Sequence, residues 1–191
     1  MRRSKLGIAV LLLLVVGLLI GGVFVFEPFA LQTEEPEEEI LLPAWADYEL
    51  VDAVSGEVFR VADFAGQPIL IESFAVWCSI CLRQQREMKR LSELDGGAVI
   101  HISLDTDPNE DLDKVRDHAL RHEFTWLYAV SPIEMTDALI ADFGLTVVNA
   151  PRAPVVFINS EGEAELLPNG VKTAEELAEL IGLELDQEGE S

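Results

Sequence analysis

Ile69-Leu70-Ile71-Glu72-Ser73-Phe74-Ala75-Val76-Trp77-Cys78-Ser79-Ile80-Cys81 is the stretch on which the reading of this 191-residue chain turns. Gln67-Pro68 opens it, and the nearly unbroken apolar run Ile69 to Val76 predicts a strand buried on both faces. Ser79 to Leu94 then predicts a helix, stopped by Gly96-Gly97. Cys78 and Cys81 are the only two cysteines in the chain, and they fall where that strand turns into that helix. At a helix N-terminus, free backbone N–H groups and the positive end of the dipole favour a thiolate, so Cys78 is the candidate nucleophile. Cys81 stands one turn further in, close enough to attack a mixed disulfide formed at Cys78. Its face continues through Gln84, Met88 and Leu91, which predicts that Cys81 is the buried partner. Arg83, Arg86 and Arg90 lie on the opposite face.

Outward from this centre, strand and helix signals alternate. Tyr48–Val54 and Glu57–Val61 around Ser55-Gly56 predict a β-hairpin ahead of the main domain. Ala98–Leu104 predicts a second buried strand. Asp107-Pro108 reads as a cap and first-turn proline opening a helix to about His122. Phe124–Val130 predicts a strand, and Ser131-Pro132-Ile133-Glu134 a capping box opening a helix that ends at Gly144. Val155–Ile158 and Glu163–Leu167 predict strands, and Thr173–Glu176 a second capping box before a last short helix. Such alternation predicts an α/β fold with a central sheet covered on both faces.

The ends of the chain differ from this core. Residues 1–5 are basic, and Leu6–Phe26 carries no charge, which at about 1.5 Å per residue spans the hydrocarbon core of a bilayer. The run is longer than the apolar core of a cleaved signal peptide, so residues 6–26 are expected to be an uncleaved anchor. Arg2, Arg3 and Lys5 place the N-terminus in the cytoplasm and the rest outside, at the cell membrane. Residues 27–43 read as an acidic linker around Glu34-Glu35-Pro36-Glu37-Glu38-Glu39, residues 44–183 as the folded domain and residues 184–191 as an acidic tail. The 13 basic residues face 35 acidic ones, a net charge of −22. Such a chain repels phosphate backbones, so no nucleic-acid partner is expected.

Three chemistries fit two cysteines spaced in this way. A static disulfide closes too small a loop to stabilise the fold much. A structural zinc site needs two further ligands, which the three histidines do not offer in any matching pattern. A redox-active dithiol needs nothing else, and no cofactor or resident metal is expected.

Phe74-Ala75-Val76-Trp77-Cys78-Ser79-Ile80-Cys81 resembles the active-site signature of the thioredoxin superfamily. Val51–Glu57, leading to Phe64-Ala65-Gly66-Gln67-Pro68, is similar to the membrane-anchored TlpA/ResA-like thiol-disulfide oxidoreductases. The resemblance covers about residues 48–182 and includes the order of elements. It implies a thioredoxin-like fold: a mixed central sheet flanked by helices, with an N-terminal hairpin extension and a single transmembrane helix. It also implies disulfide exchange with client proteins outside the membrane. Electrons would pass to or from a partner such as a membrane thiol-disulfide transporter. Cys78 and Cys81 would form the catalytic disulfide, and Trp77 would contact the client. Glu72, where thioredoxins keep a buried acid beneath the dithiol, would move the Cys81 proton. Pro154 matches the family's cis-proline, with Pro151 as the rival position, and Ala153 before it would present its backbone to the client.

Some positions depart from the family. Ser79-Ile80 lacks the proline common between such cysteines, and Gln84 and Gln85 stand where many relatives carry Glu. A peroxiredoxin would require Pro and Thr at the positions held by Ile71 and Ala75. The main alternative is a thioredoxin-like copper metallochaperone, which uses two thiols and a distant histidine; such proteins usually space the cysteines by three residues, and His101, the residue to test, lies on a strand outside a matching motif. His118 and His122, four residues apart, read as an exposed helix face rather than as metal ligands.

Overall fold

The computed structural model describes residues 40–185. The expected basic start, membrane anchor, linker up to residue 39 and tail beyond residue 185 lie outside them. Among the described residues, no helix is long and apolar enough to cross a membrane.

The predicted hairpin is present but short, pairing β1 (Leu50–Val51) antiparallel with β2 (Val58–Phe59). Asp52 ends the ladder because its carboxylate accepts bonds from Ser55 N–H at 2.8 Å and Ser55 Oγ at 2.6 Å. It also accepts Tyr128 N–H at 3.1 Å, while Ala53 N–H donates to the Tyr128 carbonyl at 2.7 Å. One carboxylate thus shapes the turn and docks the hairpin on the main sheet.

The main domain runs β3 (Ile69–Phe74), α1 (Ser79–Leu94), β4 (Ile100–Asp105), α2 (Leu112–Arg121), β5 (Leu127–Val130) and α3 (Ile133–Phe143). It closes with β6 (Val155–Ile158), β7 (Ala164–Leu166) and α4 (Ala174–Leu180). The sheet order is β5-β4-β3-β6-β7. β3 lies parallel to β4 and antiparallel to β6, which makes the sheet mixed, as expected. β3 is the central strand and is buried along its whole length.

Alternation along the strands sorts side chains to two faces. Ile69, Ile71, Ile102, Leu104, Ala129, Val156 and Ile158 pack with Met135 and Leu139 of α3 and with Trp45. On the opposite face Leu70, Val155 and Phe157 meet Met88 and Leu91 of α1 and Leu177 of α4. Phe74 and Tyr128 continue that second face toward Val115 and Ala119 of α2 and the two cysteines.

Two helix starts differ from expectation. Asp111, not Asp107, caps α2, accepting Lys114 N–H at 2.9 Å. Asp107 instead accepts Asn109 N–H at 2.9 Å, closing a local turn that delays the helix. No side chain caps α3; the Ser131 hydroxyl donates to the Pro132 carbonyl at 3.2 Å, so the expected capping box does not form. The box at Thr173 and Glu176 does form and opens α4.

Candidate active site

Cys78 and Cys81 form a disulfide across the start of α1, with Cα atoms 5.3 Å apart. Cys78 is the N-cap residue of α1, and the Cys81 N–H donates to its sulfur at 3.1 Å. A sulfur in this place meets the unpaired amides and the positive helix end, the setting that stabilises a thiolate once the disulfide is reduced. Both cysteines are buried, and Cys81, with no exposed surface, is the more deeply buried of the two. Its sulfur lies 3.2 Å from the Ala150 carbonyl oxygen, an acceptor for a thiol proton in the reduced form. Gln84, Met88 and Leu91 are buried on the same face, and Arg83, Arg86 and Arg90 are exposed, as the spacing predicts.

Glu72 is fully buried. Alternation places it on the same face as Leu70 and Phe74, beneath α1, and it pairs in register with Ser103 of β4. Burial pushes its carboxyl up to about 8, against the opposing influence of the Gln85 and Ser103 side chains and the Lys172 cation. Oε2 accepts from the Ser103 hydroxyl at 3.3 Å, and Oε1 has no partner. Ser103 Oγ in turn accepts Trp126 Nε1–H at 3.0 Å. Gln85 stands one turn after Cys81, and its side-chain oxygen accepts His118 Nε2–H at 2.7 Å. His118 is therefore buried rather than on an exposed face. Burial, reinforced by His122 and Arg121, lowers it to about 4 and keeps it neutral. A carboxyl that ionises near neutrality, held inside a polar layer beneath the helix that carries the dithiol, suits a group that takes and returns protons.

Pro154 immediately precedes β6, its carbonyl accepting Ser73 N–H at 3.2 Å. The expected cis bond is absent; every peptide bond among the described residues is trans, including those before Pro151 and Pro154. The chain reverses instead through Ala153, which adopts the left-handed conformation at φ 45° and ψ 56°. Such a conformation is costly for a residue with a Cβ and is held by its surroundings. Ala153 is fully buried, its N–H donates to the Ala150 carbonyl at 2.9 Å and its carbonyl accepts from Lys172 Nζ at 3.1 Å. Both of its backbone polar groups are thus bonded within the protein. The exposed residues of this loop are Pro151 and Arg152.

Trp77 is 63% exposed, and its ring N–H donates to Asp107 at 2.7 Å. A groove of about 520 Å³ lies beside it, lined by Asp107, Leu145, Val148 and Pro151 among others. The Val76 N–H donates to Glu110 at 2.7 Å, which ties the turn before the cysteines to the approach of α2. Trp45 and Tyr128 belong to the core, and Trp126 is partly buried.

His101 does not join this site. It pairs with Leu70 near the start of β3, whereas the cysteines follow the end of that strand, more than about 10 Å away at a strand's rise per residue. Its Nε2–H is engaged with Asp95 at 3.0 Å. Among the described residues, no three His, Cys, Asp or Glu side chains gather in a way that could hold a metal ion.

Sequence reading did not assign roles to Gln85, Ser103, His118 or Lys172. The one signal for Ser103 was its place in the alternating Ile100-His101-Ile102-Ser103-Leu104-Asp105, and Lys172 carries no local signal because Ala153 and Gln84, which tie it to the site, come from distant segments.

No protein-family model and no curated protein matches the sequence. Solved structures do. A secreted Mycobacterium tuberculosis disulfide oxidoreductase homologous to E. coli DsbE superposes with a TM-score of 0.58 at 14% identity, over 72% of this chain and 96% of that one. A thiol:disulfide interchange protein of the thioredoxin family from Chlorobium tepidum gives 0.60 at 16% identity, over 71% and 90%. BsSco, a member of the Sco family of cytochrome c oxidase assembly proteins, gives 0.56 at 15% identity, over 71% and 89%. At these identities the likeness is one of architecture, and with the geometry above it establishes that the chain has a thioredoxin-like α/β fold carrying a CxxC disulfide at the head of its first long helix.

Proposed function

We propose that this protein is a membrane-tethered, extracytoplasmic thiol-disulfide oxidoreductase that exchanges disulfides with client proteins. The observation that carries this reading is the Cys78–Cys81 disulfide at the N-terminus of α1, with Cys78 as the cap and the buried Glu72 on the sheet face beneath α1. In the reducing direction, the Cys78 thiolate attacks a client disulfide, forms a mixed disulfide and releases one client thiolate. Glu72 in its ionised form accepts the Cys81 proton, and the Cys81 thiolate attacks Cys78 Sγ. The client leaves two electrons richer, its two thiolates taking one proton from Glu72 and one from solvent, and the protein is left oxidised. Oxidation of a client runs through the same steps in reverse. Trp77 and the exposed Pro151-Arg152 edge serve as client contacts, while Ala153 and Pro154 shape that edge from beneath.

The uncharged stretch Leu6–Phe26 behind three basic residues supports the tether and its orientation. A membrane thiol-disulfide transporter is the class of partner that would recharge such a domain from the cytoplasm. The architecture it shares with the secreted disulfide oxidoreductase is consistent with action outside the cell, although that protein's location is its own.

The test uses the purified full-length chain in detergent. It should catalyse dithiol-dependent reduction of a disulfide substrate, and Cys78→Ser should abolish the activity. Undiminished turnover in Cys78→Ser would sink the proposal.

A further inference from the structure

A single buried lysine occupies the space between the sheet and the loop that borders the disulfide. Lys172 is only 5% exposed, and its ammonium donates to three carbonyl oxygens: Ala153 at 3.1 Å, Pro168 at 2.9 Å and Gly170 at 2.6 Å. An ammonium has three protons, so this set saturates it. The backbone of the same residue is clasped by Gln84, whose oxygen accepts Lys172 N–H at 2.8 Å and whose amide donates to the Lys172 carbonyl at 3.1 Å. Gln84 lies on the buried face of α1 directly after Cys81. Gly170 N–H also donates to the Arg152 carbonyl at 2.8 Å. One residue thus joins the segment before α4 to the left-handed Ala153 through its side chain and to the helix that carries the cysteines through its backbone.

We propose that Lys172 is a positioning residue of the exchange site: its buried ammonium holds the Ala150–Pro154 loop against Cys81 and sets the charge that Glu72 faces. The proposal rests on the oxidoreductase reading above. Two observations carry it. Ala153 is a Cβ-bearing residue in the left-handed region, and Lys172 accounts for the one bond its carbonyl makes. Burying a lysine is costly, and nothing in the packing of an ordinary loop requires it. Glu72 bonds Ser103 from β4 and pairs in register with Val155, two residues beyond the Ala153 whose carbonyl holds the ammonium. The other groups whose charge or polarity bears on the pair are Gln85 from α1 and Tyr128 from β5 for Glu72, and Glu176 from α4 for Lys172. Among the described residues no carboxylate forms a direct ion pair with Lys172, so its charge acts on Glu72 through the interior, where the field is weakly screened.

A loop clip and a positioning residue differ in what they do to Glu72. Carbon-13 NMR of the Glu72 carboxyl in the oxidised full-length protein follows its titration without requiring activity. In Lys172→Met, the midpoint should rise by about one pH unit, and disulfide reduction at pH 7 should slow by about tenfold. In Glu72→Gln, the Lys172 ammonium should in turn titrate at lower pH, because it loses its anionic neighbour. Adding Lys172→Met to Glu72→Gln should slow exchange by clearly less than it does in the wild type. An active wild type whose Glu72 midpoint does not move in Lys172→Met overturns the proposal while leaving the oxidoreductase reading in place. Should Lys172→Met fail to fold, an unchanged Lys172 midpoint in Glu72→Gln overturns it equally. A wild type with no exchange activity refutes the oxidoreductase reading, and the role of Lys172 in exchange falls with it.

Discussion

Replacing Glu72 with Gln should stabilise the protein by an amount that grows with pH. The folded carboxyl is held at about 8 against an ordinary value of 4.5, chiefly by burial. Between those two values the folded state keeps the proton and the unfolded chain has released it. Stability is therefore lost as pH rises through the window. At about 1.4 kcal/mol per pH unit, the penalty at pH 7 is on the order of 3 kcal/mol, and it is absent near pH 4.5. Gln carries no titrating proton, so the variant escapes the penalty. Urea unfolding of both oxidised proteins at half-unit intervals from pH 4.5 to 8 measures this. Only the difference between them is read, which cancels the contribution of the many surface carboxylates common to both. The upper limit is set by Lys172, whose ammonium burial lowers to about 8 and whose own window lies above that. A difference that stays constant from pH 5 to 8 would refute the reasoning, because it would mean the folded Glu72 carboxyl titrates as it does in the unfolded chain.

Met88 is fully buried on the inner face of α1, and Met88→Ala should cost about 2–5 kcal/mol in urea unfolding while Cys78 alkylation in the folded reduced protein stays at the wild-type rate. Asp52→Ala leaves the Tyr128 N–H buried without its acceptor and frees the Ser55 turn, at a cost of about 1–3 kcal/mol. Burial alone would raise the Asp52 carboxyl, but hydrogen bonds from Ser55, Tyr128 and Val54 outweigh it and hold the group below its ordinary value. Its stabilisation is present above pH 3.8 and is lost as pH falls through the folded value. The variant should accordingly lose less stability than the wild type on acidification below pH 4, read by circular dichroism.

Much of the core of this protein was legible in order along the chain. The apolar run Ile69–Phe74, the helical face Cys81-Gln84-Met88-Leu91 and the stop at Gly96-Gly97 are local patterns whose period reports burial directly. The position of Cys78 as the cap of α1 followed from the same reading, because a strand-to-helix junction leaves its amides unpaired wherever it lies in the fold. Helix starts were less secure where two acidic residues competed for the same role. Asp107 and Asp111 both suit a cap, and Asp107 was drawn away by Trp77 and Asn109.

What the sequence by itself determined is the alternation of elements, the order that builds an α/β sheet and the placing of a dithiol at a helix head, since each depends on neighbours a few residues apart. The tertiary structure alone decided what surrounds that dithiol. His101, Ser103 and Asp105 alternate with apolar residues along β4, yet all three are buried, His101 bonded to Asp95, Ser103 to Glu72 and Trp126, and Asp105 to the Asp107 N–H. His118 reads as surface and lies buried against Gln85, and Ala153 takes a left-handed bend where resemblance implied a cis bond. Lys172 joins the carbonyls of Pro168 and Gly170, just before it, to that of Ala153, which no local spacing connects to it. A buried polar group must find its partner wherever the packed chain brings one, so its role is fixed by contacts across the fold and not by its position in the sequence.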